Sequence, residues 1–408
     1  MKKRTESKFI LPLSMMCLVM TIFLSACHHD DPDTISPEAI SCNDINSDVV
    51  WADRGDGIDY TVNCEITTYA KITIEPGVVI RFENNAGIRI ASGGSLKAIG
   101  TATNPIVLKG NVDAAGVWKG LYFQSNSVEN ELNYCTISNG GSASFDGNNT
   151  RKANIRVANN AQLKIRNSTV SKSAYDGLYV DGLDVDAINP VTVFNNNTFS
   201  DNQNYPVSTI GAMVTVMDGT TSQFTGNTKN KILVRGGRLY GNHTWNKANV
   251  NYLIQDVVSA GYYTDNGNLT INPGVTIEFA GDAGLCTGDY STASWLKING
   301  SSTEHVVLKG ETTAAGAWKG VAFQSTSPNN DINYADISDG GSSSYTGATQ
   351  KRANIHAGAW SDGSFTISNT TISNSAAWGI WVTLGSPDIT IPASVTYSSN
   401  ASGNYYKE

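Results

Sequence analysis

The sequence predicts an all-β chain wound into one elongated repeat body, and three observations carry that prediction. Short apolar alternations recur from Trp51 onward, as in Ile72/Ile74, Val78/Ile80/Phe82, Ile88/Ile90 and Leu121/Phe123. Period-two runs of this kind, separated by Gly, Asn and Ser, are strands that bury one face. After the N-terminal segment, no stretch sustains an apolar helical period. Finally, the chain contains a long duplication. Residues 114–125, AAGVWKGLYFQS, return as residues 314–325, AAGAWKGVAFQS, nine of twelve identical at an offset of 200. Self-similarity at so long a period is the mark of a repeat architecture, not of unrelated globular domains.

The 408 residues include 39 glycines and only 11 prolines, and Asn, Ser and Thr are dense between the apolar runs. Such a composition suits many short strands joined by tight turns. Residues 1–26 carry a different signal. Lys2, Lys3, Arg4 and Lys8 precede an apolar stretch from Phe9 to Phe23, followed by Leu24-Ser25-Ala26-Cys27. A basic start, an apolar run and small residues before a cleavage point describe a secretory signal. The tetrapeptide resembles the lipobox of bacterial lipoproteins, which implies lipidation of Cys27, membrane attachment through it and an outer-membrane location. Without residues 1–26 the net charge is −11, against −8 for the whole chain. An acidic body has no electrostatic footprint for nucleic acid.

Residues 27–48 are polar and acidic and read as a disordered tether. Cys42 and Cys64 are candidates for a disulfide, which an exported protein permits. Cys135, matched by Ala335 in the second copy, reads as a small buried filler. The first repeat unit is expected over 49–242. There Val107-Leu108-Lys109-Gly110, Asn133-Tyr134 and the run RKANI at 151–155 have counterparts in Val307-Leu308-Lys309-Gly310, Asn333-Tyr334 and KRANI at 351–355. The second unit, 243–408, is shorter and continuous with the first, and the span 199–242 has no counterpart in it. Roughly 15 rungs at about 4.8 Å give an expected length of about 70 Å.

The turns narrow the fold further. Asn195-Asn196-Asn197-Thr198, Asn167-Ser168-Thr169 and Asn369-Thr370-Thr371 place Asn at the start of successive apolar runs. The phrases from Ile72 to Phe82 and from Leu269 to Phe279 share a Pro-Gly turn between two strands. These patterns resemble the right-handed parallel β-helix proteins of the pectate-lyase-like superfamily, in particular exported bacterial lipoproteins of that fold. The resemblance covers nearly the whole mature chain. It implies Asn ladders in the turns and stacked Val, Ile and Phe inside. Such motifs describe core and turns and say little about chemistry.

Pectate lyases of the superfamily use acidic calcium ligands with an arginine base, and its polygalacturonase-like members use Asp-Asp, Asn-Thr-Asp and Gly-His-Gly motifs. After Asp30-Asp31 this chain has none of those three motifs. His243, His305 and His356 are isolated in sequence and read as surface or turn residues. The densest acidic stretch holds Asp176, Asp181, Asp184 and Asp186, and the second copy lacks it. Alternating carboxylates on a loop could bind calcium through Asp181, Asp184 and Asp186, or serve a lyase or glycosidase. A solvated acidic turn is the plainer reading.

Strand parity points instead to a binding surface. It turns Tyr122, Tyr179 and Trp381 outward, with Trp378 beside Trp381, and it extends to Trp118 if the strand reaches that far. Outward aromatics on a rigid scaffold can stack on sugar rings. The duplicated cations Lys109/Lys309, Lys119/Lys319 and Arg151-Lys152/Lys351-Arg352 are solvated charges or two basic spots. The sequence thus favours a lipid-anchored envelope protein that binds a polysaccharide or surface protein without catalysis. A polysaccharide-cleaving enzyme and a purely structural envelope or adhesion protein are the alternatives.

Overall fold

The computed structural model describes residues 36–408 apart from 56, 183–188, 264, 289–292 and 349. The described chain is a right-handed parallel β-helix. Its strands fall into sheets of 8, 13, 6, 7 and 5 strands, and those neighbouring in a sheet come from successive coils. The thirteen strands of the long sheet set the length at about 60 Å, shorter than the rung count read from the sequence.

Period-two runs build the core as columns. On the 8-stranded sheet, Ile80 pairs with Leu108, Leu108 with Ile137, Ile137 with Val170, Val170 with Phe199 and Phe199 with Phe224. All six are buried. Each buried side chain of this size contributes about 1.5–3 kcal/mol. A one-residue slip would turn its whole strand inside out, so the register is tightly set.

The turns are held by amides. Asn154 accepts from Gly140 N at 2.7 Å and donates to Ser171 O at 2.8 Å. Its amide also reaches Asn202 in the second coil beyond, and Asn202 donates to Asn227 at 2.8 Å. Asn139, Asn167, Asn196, Asn369 and Asn374 take positive φ at strand ends, a conformation that Asn tolerates better than most residues.

The repeated Trp-Lys-Gly is architectural. Trp118 stacks on Phe82 and Trp318 on Phe279, both with ring centroids 3.9 Å apart. Each indole N–H donates to a strand carbonyl, Ser138 O or Ser338 O, at 2.7 Å. The following Gly120 and Gly320 have φ near 105°, and a Cβ there would lie 2.4 Å from the Ala153 or Ala353 carbonyl oxygen. Only glycine fits so close a passage. Trp118 is therefore inside, not outward, because the strand begins at Gly120 and parity does not extend back to it.

The two copies do not share faces. Ile106–Gly110 lies in the 8-stranded sheet, whereas its equivalent Val306–Gly310 lies in the 13-stranded one. Gly120–Phe123 lies in the 13-stranded sheet and its equivalent Val321–Phe323 in the 7-stranded one. The slip arises between the copies. There the 6-stranded sheet stops, a one-turn helix at Gly211–Val214 stands in its path, and Met217 bridges to Phe194. The 7- and 5-stranded sheets then start at Gly237–Leu239 and Gly241–Trp245. The second copy is rotated about the axis by one face, while the 13-stranded sheet runs unbroken through both.

Two further expectations change. Residues 36–48 do not hang as a tether: Glu38 and Ala39 pair with Tyr60 and Thr61, and Ile45 bridges Thr68. The structure joins Cys42 and Cys64 in a disulfide within this first coil.

Candidate functional site

The outward face of the 13-stranded sheet in the first copy forms a column set by register. Arg89 pairs with Tyr122, Tyr122 with Arg156, Arg156 with Tyr179 and Tyr179 with Ser208. Strand parity turns all of them away from the core, yet Tyr122 and Tyr179 are only 6% and 7% exposed. Cations and a loop cover them. Arg156 lies 4.3 Å from the Tyr122 ring centroid, Arg89 lies 5.6 Å away, and Phe145 packs against the same ring at 5.4 Å. Tyr122 is thus a packed residue and no open platform.

Asp181 belongs to the same network. Its carboxylate accepts from Arg156 Nε at 3.1 Å and Tyr122 Oη at 3.3 Å, and Arg156 Nη2 also bridges it to Asp146. The hydrogen bond from Arg156 holds the Asp146 carboxyl well below the usual carboxylate range. Asp181 therefore faces guanidinium, not fellow carboxylates. Asp184 and Asp186 lie outside the described residues, as does Cys27. Among the described residues no group of three His, Cys, Asp or Glu side chains is placed to hold a metal ion.

A pocket of about 290 Å³ opens next to this column, around Tyr175, Tyr179 and Tyr205. Asp176 lines it at the start of the strand Asp176–Val180. Its Oδ1 accepts from Asn204 Nδ2 at 2.7 Å and from Tyr205 N at 3.1 Å. Oδ2 is buried without a hydrogen-bond partner. The Ser208 hydroxyl lies beside it without hydrogen-bond geometry. Burial pushes the Asp176 carboxyl up to about 7, since desolvation penalises the charged form. Tyr205 also packs with Leu233 and Leu253 in a small apolar cluster separate from the main core.

Each tyrosine ring of the pocket carries a cation. Lys229 lies 4.7 Å from the Tyr205 centroid, Arg235 lies 4.7 Å from Tyr179, and Lys152 lies 5.5 Å from Tyr175. Arg235 is fixed further by donating to the Val180 carbonyl. The result is a concave site with aromatic walls, fixed positive charge and one buried carboxyl group. Asp176 is its only carboxylate among the described lining residues, whereas two-carboxylate glycoside hydrolysis needs a partner across the bond.

Trp378 and Trp381 stand elsewhere, on the 7-stranded sheet. Trp381 is 4% exposed, with Tyr406 packed on it at 4.5 Å and Trp378 at 6.3 Å. These tryptophans and Tyr179 therefore do not line one groove, and the expected shared aromatic platform does not form. His356, expected at the surface, is buried in the strand Ala353–Ala357. Four of the eight duplicated cations form ion pairs: Lys119 with Glu65, Arg151 with Asp146, Lys309 with Glu278 and Lys351 with Glu408.

Sequence reasoning missed Tyr175, Tyr205, Lys229 and Arg235. A partial signal did exist: Lys229, Leu233 and Arg235 fall in the part of 199–242 that has no second copy, whereas Ser208 stands on Tyr179 as Tyr406 stands on Trp381, so the match runs past Asn400. The pocket sits where the duplication breaks. No curated protein and no solved structure matches the chain. Residues 44–154, most of the first copy's coils, match the family model of a pectate-lyase like β-helix domain.

Proposed function

We propose that this protein is a lipid-anchored surface protein that binds carbohydrate in the tyrosine pocket of its first copy. The observation that carries this reading is the convergence of Tyr175, Tyr179 and Tyr205 around a buried carboxyl group with Lys229 and Arg235 alongside. Tyr175, the partly exposed ring, can offer a face to sugar C–H groups, Tyr179 and Tyr205 shape the wall beneath their cations, and the polar set can meet hydroxyls or an acidic substituent. Because the walls are strands and pinned turns, little ordering entropy is lost on binding. A glycan array probed with the purified protein tests it. Binding that falls at least about tenfold in Tyr179→Ala and Tyr205→Ala is expected, and an array blank for every glycan would sink the reading. Radiolabelled palmitate incorporation, lost in Cys27→Ser, tests the anchor.

A second reading rests on Asp176. A buried carboxyl group that titrates near 7 is suited to proton transfer at neutral pH. Turnover of an acidic polysaccharide that disappears in Asp176→Asn would select this catalytic reading. Binding without turnover would select the first.

A further inference from the structure

A second pocket, of about 370 Å³, lies on the 7-stranded sheet at the start of the second copy. Its floor is a register column in which Arg238 pairs with Ser259 and Ser259 with Cys286. Tyr262, Asp256, Gln324 and Trp360 form its sides. We infer that this pocket is a separate binding site for a neutral sugar, distinct from the tyrosine pocket in place and in ligand.

The duplication shows how the space was made. Cys286 is the equivalent of Arg89, as each stands two residues into the strand that follows Ala86-Gly87 or Ala283-Gly284. In the first copy the Arg89 guanidinium occupies this place, donating to Glu65 at 2.7 Å, Phe145 O at 3.0 Å and Gln124 at 3.4 Å. A cysteine in its stead vacates the volume of that long side chain. Gln124 also has an equivalent, Gln324, with a new task. Its Oε1 accepts from Trp360 N at 3.2 Å, and its Nε2 donates to Thr287 O at 3.2 Å. The turn carrying Trp360 is two residues longer than its first-copy counterpart, which holds Asn159 and Asn160 instead. The second copy has thus both opened a cavity and hung a tryptophan at its rim.

Trp360 is 54% exposed although its backbone is pinned by Gln324. A large indole left half in water on a fixed turn is a preformed stacking surface. The polar lining is mixed in sign, with Arg238 and Asp256, and with the Ser259 hydroxyl, which donates to Gly261 O at 2.8 Å and can still accept. Arg238 already lies 3.6 Å from the Tyr262 ring centroid. A strongly anionic ligand would meet Asp256, and a cationic one would meet Arg238. A neutral pyranose satisfies both, stacking its apolar face on Trp360 and sharing hydroxyls among donors and acceptors. The tyrosine pocket differs, with Lys229 and Arg235 at its walls.

The test uses the purified full chain with hexasaccharides of glucose, mannose and xylose, followed by calorimetry and tryptophan fluorescence. At least one hexasaccharide is expected to bind, with affinity reduced at least about tenfold in Trp360→Ala and unchanged in Tyr179→Ala. Cys286→Arg, which restores the first-copy residue, should abolish it. Thermal melting should be unaltered in Trp360→Ala, so that variant stays informative even if Cys286→Arg does not fold. Absence of binding to all three sugars, or wild-type affinity in Trp360→Ala, overturns the inference. Glycan binding lost only in Tyr179→Ala overturns it too, while leaving the tyrosine pocket standing.

Discussion

The two copies carry equivalent outward columns with opposite chemistry. In the first, Arg89, Tyr122, Arg156 and Tyr179 alternate cation and ring. In the second the same positions hold Cys286, Ala322, His356 and Trp381. The inward columns beneath them are alike, as Leu121, Ile155 and Leu178 answer to Val321, Ile355 and Ile380. A solenoid core tolerates only apolar side chains of fitting size, so duplication preserves it. The outward face answers only to what covers it. One copy has covered it with ion pairs and the other with aromatic packing, so the two should fail under different insults.

Removing the central cation should have the largest effect. Arg156 has a side chain 2% exposed and neutralises both Asp146 and Asp181. In Arg156→Ala, Asp181 is left enclosed with only Arg151 at 3.9 Å and the Tyr122 hydroxyl, and the expected loss is about 3–5 kcal/mol. The lower end is the better expectation, since Asp146 is partly exposed and can rehydrate. His356→Ala removes packing without stranding a charge and should cost less. Urea unfolding of the two variants decides the matter. An equal loss in both would mean that the ion network adds nothing beyond packing.

Acid and base should separate the copies next. Asp176 has a folded pKa raised to about 7 by burial. The stability it permits is complete below its unfolded pKa near 4 and declines as pH rises through 7. His356 has a folded pKa depressed to about 4 by burial. Its contribution is complete above its unfolded pKa near 6.5 and declines as pH falls toward 4. Asp176→Asn should therefore gain on the order of 2–3 kcal/mol at pH 8 and little at pH 4. His356→Gln should flatten the loss between pH 6.5 and 4. Melting temperatures from about pH 4 to 8 read both, and parallel profiles for the two variants would contradict the assignment.

Much of the fold was legible because a period of two needs no tertiary knowledge. Ile80, Leu108 and Ile137 are apolar at every second position, and their stacking follows from repetition. Parity also put Tyr122, Tyr179 and Trp381 on the outside of the strands correctly. It could not tell outside from exposed, because the covers come from elsewhere: Phe145 from a long turn, Tyr406 from the last strand and Arg235 from two coils on. The tyrosine pocket was hidden for the same reason. Tyr175, Tyr205 and Arg235 meet only through register across three successive coils, which spacing alone does not reveal.

The smallest effect concerns the loops that lie over the columns, and it tests the comparison most finely. Phe145 rests on Tyr122 in the first copy, between Arg89 at 5.3 Å and Lys119 at 5.7 Å. Its equivalent Tyr345 sits equally deep, each ring's Cζ lying 3.0 Å from where a Cβ on Gly87 or Gly284 would stand, and its hydroxyl donates to Gly320 O at 2.7 Å and Leu285 O at 3.2 Å. The added hydroxyl thus gives the second copy a polar tip that meets the strand carbonyls. Tyr345→Phe removes the donor from two buried acceptors and should cost about 1 kcal/mol. Amides of residues 344–348 should exchange faster with solvent in that variant. Phe145→Tyr places a hydroxyl at the same depth over Gly87, toward the equivalent carbonyls of Gly120 and Ile88, and should stabilise the protein by up to about 1 kcal/mol. Should Phe145→Tyr leave stability unchanged while Tyr345→Phe weakens the protein, the carbonyls under Phe145 would be closed to a donor, and the two loops would not be interchangeable.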